Sequence, residues 1–125
     1  MLTGESLSKV INLVGHRHGT RTRELVKVLR RLGFDCPDRL KHTKKIEAAL
    51  SKVSRALVKI KWDWRSSWHW VAWADGLIFD PGYSVPLGSF SSFSYRGGRA
   101  TSYLAVTSGS GWAPMRLVLE HGRTS

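Results

Sequence analysis

The sequence predicts an α+β fold in which N-terminal helices pack on a small antiparallel sheet. Three observations carry this expectation. Residues 1–33 place their apolar side chains at helical spacing. From Ala56 onward the period falls to two. An Asp75-Gly76 pair then stands between two apolar runs, the pattern of a tight hairpin. Helices first and antiparallel strands afterwards are segregated as in α+β domains. With 125 residues the chain has enough length for one hydrophobic core.

Each element can be justified in turn. Leu2, Leu7, Val10, Ile11 and Val14 share one helical face, so the chain starts inside or beside a helix, and Gly15 ends it. His16-Arg17-His18-Gly19 reads as a basic loop, with Thr20 as the N-cap of the next helix. There Leu25, Leu29 and Leu32, with Val26 and Val28 beside them, make the apolar stripe. Lys27, Arg30 and Arg31 lie off it, and Gly33 is a fitting stop. Phe34 to Lys41 is a connection containing Cys36-Pro37. Ile46, Ala49, Leu50 and Val53 mark a shorter third helix.

Ala56, Val58, Ile60 and Trp62 face one way and Lys59 and Lys61 the other, which describes a half-exposed strand. Trp68 to Ala74 is a second strand and Leu77 to Asp80 a third, joined through positive φ at Asp75-Gly76. Pro81 to Gly98 is a long loop rich in Ser, Gly, Phe and Tyr, and Ser102 to Val106 is a last strand. Thr107 to Gly111 is linker-like, and Met115 to Leu119 is a candidate extra strand. The domain is therefore expected over 1–106, with a linker and C-terminal appendage over 107–125.

Composition narrows the function classes. No apolar run approaches the ~20 residues needed to span a bilayer, and Met1 to Lys9 lacks the pattern of a secretory signal. A single cysteine, Cys36, rules out an internal disulfide and a cysteine-rich metal site, which favours a reducing, cytoplasmic setting. The histidines are too dispersed to suggest a metal, and no cofactor motif is present. The net charge is +11 and lopsided: residues 1–65 hold 16 Lys and Arg against 6 Asp and Glu, residues 66–125 only 4 against 3. Such asymmetry suits either basic solvent-facing helices or attraction to an acidic partner. For a nucleic acid, the candidate contacts are Arg17, Arg21, Arg23, Lys27, Arg30 and Arg31. No zinc spacing, helix-turn-helix or RNA-binding aromatic signature accompanies them.

The chemically informative residues are His69 and Asp80. With Asp75 and Gly76 as the loop, Val71 lies opposite Asp80. His69, Val71, Trp73, Ile78 and Asp80 then share one face. His69 becomes the diagonal neighbour of Asp80, within reach of a side-chain hydrogen bond. A carboxylate so placed fixes the imidazole tautomer, as the third member of a catalytic triad does; an ordinary structural pair has the same spacing. Trp62, Trp64, Trp68, Trp70 and Trp73 suit the core and rim of the sheet, or a stacking platform for bases beside Arg65.

His69-Trp-Val-Ala-Trp, Asp75-Gly76 and Ile78-Phe79-Asp80-Pro81 together resemble the His-aromatic-Val…Asp-Pro signature of papain-like cysteine peptidases. The nearest branch is the bacteriocin-leader-processing type with its small bacterial and prophage relatives. Those relatives have a helix ending in Met-Leu-Thr-Gly, then a Gly-Thr-started helix with leucines at intervals of four and a closing Gly. Met1 to Gly4 and Gly19 to Gly33 are similar, with Gly19-Thr20 one residue nearer the leucines. Thr101 to Leu104 also resembles a late strand of the family, so the similarity covers roughly residues 1–106.

The resemblance implies a papain-like fold in which His69 is the general base and Asp80 orients it. It also implies a nucleophilic cysteine about two turns before the point where this sequence begins, preceded by an oxyanion-stabilising donor. Cys36, after the second helix and before a proline, is not in the family position. Ser66, Ser67 and Thr20 have no positional support either. The expectation is a peptidase-related protein, inactive as given, that binds a peptide or protein in the cleft between helices and sheet. It becomes a thiol hydrolase only if a nucleophile is supplied. A nucleic-acid-binding module and a phage or mobile-element protein that captures a host protein are the alternatives.

Overall fold

Apolar periodicity is turned into elements almost in the order in which it occurs. The computed structural model describes residues 3–14, 20–64, 68–83, 85–90, 95 and 97–108. Two helices, α1 (Gly4–Val14) and α2 (Thr22–Arg31), precede the short strands β1 (Phe34–Asp35) and β2 (Lys41–His42) and the helix α3 (Ile46–Leu50). The strands β3 (Arg55–Trp62), β4 (Trp68–Ala74), β5 (Leu77–Phe79), β6 (Gly98–Ala105) and β7 (Thr107–Ser108) follow. Five of the strands form an antiparallel sheet in the order β2-β6-β3-β4-β5, and β1 pairs with β7.

The helices are held at their ends by specific groups. Thr3 caps α1: its hydroxyl accepts the Ser6 N–H at 3.0 Å, and the Ser6 hydroxyl accepts the Thr3 N–H at 2.8 Å. The cap of α2 is Arg21 rather than Thr20, and the Glu24 carboxylate accepts the Arg21 N–H at 3.1 Å. The displacement has a physical reason. Thr20 is buried, and its carbonyl accepts the indole N–H of both Trp68 (2.7 Å) and Trp70 (2.6 Å), which fixes it to the sheet. Gly33, at φ 88°, turns the chain out of α2.

The sheet is covered on both faces. On one, Leu57, Trp70, Ala72 and Leu104 meet Leu7, Val10 and Ile11 of α1 and Leu25 and Leu29 of α2. On the other, Val58, Ile60, Val71, Ile78 and Tyr103 pack with Leu50 of α3 and with Tyr95. Strand β3 is therefore not half-exposed: Leu57 is as buried as Val58, because the helices cover the face that Lys59 and Lys61 had suggested was wet. Gly4 lets α1 lie directly on Phe79, since a Cβ there would fall inside the Phe79 ring.

The turn between β4 and β5 has positive φ at both Asp75 (52°) and Gly76 (83°). The register pairs Ala72 with Phe79, Trp73 with Ile78 and Ala74 with Leu77. Strand β6 starts four residues earlier than its apolar run suggested, and its register shifts between Lys59 and Ile60. Thr107 and Ser108 pair with Asp35 and Phe34 rather than opening a linker, while the candidate strand over 115–119 lies outside the described residues. Among the described residues no helix is long and apolar enough to cross a membrane.

Candidate functional site

His69 and Asp80 meet. The register of the β4–β5 hairpin puts them on one face, and His69 Nε2 lies 2.7 Å from Asp80 Oδ2. An ionised carboxylate can only accept, so in the neutral ring the proton of this bond sits on Nε2 and the lone pair is left on Nδ1. Among the described residues Nδ1 has no hydrogen-bond partner. The two groups differ in exposure: the imidazole is 35% exposed and the carboxylate 2%.

Asp80 is held from three sides. Its Oδ1 accepts the Gly82 N–H at 2.8 Å, and its Oδ2 also accepts the Tyr95 hydroxyl at 2.8 Å. Burial pushes the Asp80 carboxyl up. The bonds from His69, Gly82 and Tyr95 together outweigh burial and hold it below the ordinary carboxylate range. Tyr95, itself buried and donating to an anion, is held far into its neutral form. A buried carboxylate with all its donors supplied is a fixed anion, and a fixed anion fixes the ring bonded to it.

The pair faces the core of Tyr95, Ile78 and Val71, not the side covered by α1 and α2. It thus does not look into the space between those helices and the sheet. A cavity of about 270 Å³ borders Asp80 and runs past Pro81 and Tyr83 to Glu5 and Ser8 of α1. Tyr83 and Val85 on its rim are large side chains left exposed.

Cys36 is not near this site. It is buried in the cluster between α1, α2 and the sheet, on the face opposite His69. Burial raises its thiol above the ordinary value, against a smaller opposing pull from Arg30. Ser66 and Ser67 lie outside the described residues, and the Thr20 carbonyl is taken by two indoles. Among the described residues no group of three or more His, Cys, Asp and Glu side chains is placed to hold a metal.

The tryptophans among the described residues do not assemble into one platform. Trp62 and Trp70 are buried, Trp73 stacks on Phe90 at 6.3 Å, and Trp68 carries the Lys59 ammonium 4.4 Å above its ring. Trp64 is exposed, tilted by 57° against Trp62. Of the basic candidates, Arg23, Lys27, Arg30 and Arg31 line a common groove with Val26 and Asp38. Arg21 stands outside it at the N-cap, and Arg17 lies outside the described residues.

Sequence reasoning missed Gly82 and Tyr95. Gly82 was within reach, because Asp-Pro-Gly is a turn signature in which the Asp side chain accepts an N–H two residues on. Tyr95 comes from a loop with several aromatics and no period, so nothing singled it out. Comparison of the chain with protein-family models, with curated proteins and with solved structures found no match.

Proposed function

We propose that the chain is a papain-like domain related to cysteine peptidases, and that it binds a peptide or protein segment beside His69. One observation supports this above the others. A partly exposed imidazole is oriented by a buried carboxylate that itself receives two further hydrogen bonds. Such an arrangement presents an acceptor nitrogen in a fixed direction. It can take a proton from a thiol or accept a peptide N–H, and a purely structural His–Asp contact has no need of a presented nitrogen.

Acyl transfer needs a nucleophile as well. Among the described residues none stands at Nδ1, and Cys36 is on the other face of the sheet, so their geometry favours recognition over turnover. The cavity bordered by Asp80, Tyr83 and the first turns of α1 offers space for a segment next to Asp80. Panning a random heptapeptide library against the parent protein and His69→Ala tests the reading. A consensus enriched by the parent and lost in the variant is expected; no consensus, or one indifferent to His69, would sink it. A broad fluorogenic peptide assay on the same two proteins tests turnover, and any hydrolysis should vanish in His69→Ala.

A further inference from the structure

Helix α2 carries a second cluster, on the side of the sheet opposite the His69–Asp80 pair. Arg23, Lys27 and Arg31 recur at intervals of four, so they form one row along the exposed side of the helix. At 1.5 Å per residue the row is about 12 Å long. All three line the groove of about 710 Å³ whose remaining walls are Val26, Arg30 and Asp38. Arg30 is already engaged: Nη1 lies 2.8 Å from Asp38 Oδ1, and Nη2 donates to the Cys36 carbonyl at 2.8 Å. That bridge occupies the only carboxylate among the described residues that line the groove. Arg23, Lys27 and Arg31 have no ion-pair partner among the described residues.

A row of like charges four residues apart repels itself, so leaving it unneutralised is a cost that a bound polyanion removes. The surrounding field points the same way, since residues 1–65 carry a net +10. The lining decides between kinds of polyanion. Among the described residues Val26 is its one apolar lining residue, and none of them is an aromatic anchor of the kind protein partners use. Arginine forks and a lysine point charge suit phosphate oxygens. We infer that this groove binds the phosphate backbone of a single nucleic-acid strand, with Arg23, Lys27 and Arg31 as the contacts and Arg30 as a wall held by Asp38.

The test is fluorescence anisotropy with a labelled single-stranded DNA of about 15 nucleotides, across about 50 to 200 mM salt. The combined variant Arg23→Ala, Lys27→Ala, Arg31→Ala should bind at least about tenfold more weakly at the low-salt end. Its plot of log affinity against log salt should lose about two of slope, at roughly 0.7 per contact. Lys41→Ala, Lys44→Ala, Lys45→Ala removes the same charge from exposed positions elsewhere and should bind nearly as the parent does. Equal losses in the two triple variants would overturn the groove, as would no binding by the parent at low salt. A polyglutamate peptide that binds as tightly, with the same dependence on Arg23, Lys27 and Arg31, would replace nucleic acid with an acidic protein. His69→Ala should bind the strand unchanged, so this result and the peptide result stand apart.

Discussion

Replacing Tyr95 by Phe removes one oxygen from the centre of the candidate site and leaves the ring in place. The ring packs 6.2 Å from Phe90 and 6.5 Å from His69, and those contacts survive. What is lost is a 2.8 Å hydrogen bond to a carboxylate, with both groups more than nine-tenths buried. A hydrogen bond to a charged group is worth about 1.5–3 kcal/mol. Asp80 keeps His69 and Gly82, so the lower end, about 1.5 kcal/mol, is expected. With a urea m-value of about 1.5 kcal/mol/M, that moves the unfolding midpoint by about 1 M at neutral pH. The effect must also depend on pH in a definite sense. The folded-state carboxyl lies below its ordinary value of 3.8, so its contribution is complete above that value and is lost as pH falls through the lower folded one. Losing the Tyr95 donor raises the folded value, and parent and variant should converge under acid conditions. Urea melts followed by tryptophan fluorescence at neutral pH and at acid pH below the lowered folded value read both effects. Equal midpoints at neutral pH, or a gap that persists unchanged in acid, would refute the reasoning.

Three other perturbations have expected outcomes. Gly4→Ala should destabilise by about 1–2 kcal/mol despite its better helix propensity, because the new methyl collides with Phe79. A raised melting temperature would mean that α1 does not lie on Phe79 so closely. Trp70→Phe should cost about 2–3 kcal/mol by losing buried volume and the 2.6 Å bond to Thr20, with Trp68→Phe milder because that ring is only partly buried. An unchanged urea midpoint in either variant would count against the Thr20 anchor. Cys36 should resist iodoacetamide in the folded protein, react freely in urea, and behave identically in His69→Ala. Fast alkylation that depends on His69 would instead identify Cys36 as a nucleophile.

Helix α2 and the β4–β5 hairpin were legible in the sequence because their signals are local. The leucine stripe with Gly33 specifies one, and Asp75-Gly76 between apolar runs specifies the other together with its register. The meeting of His69 with Asp80 follows from that register alone. What escaped depends on distant partners. Leu57 reads as the wrong face of a half-exposed strand until α1 and α2 are laid over it. Thr20 looks like a cap until two indoles from β4 claim its carbonyl. Strands β1, β2 and β7 are two residues long and exist only through pairing, which no window of sequence contains. Tyr95 reaches Asp80 from fifteen positions further along the chain.

Asp80 holds His69 in one tautomer and presents Nδ1. A long-range proton–nitrogen correlation spectrum of His69, recorded on the neutral imidazole, tests it most directly. The Nε2–H tautomer is expected in the parent and a mixed population in Asp80→Ala. A parent spectrum showing Nδ1–H, or the same mixture with and without Asp80, would contradict it.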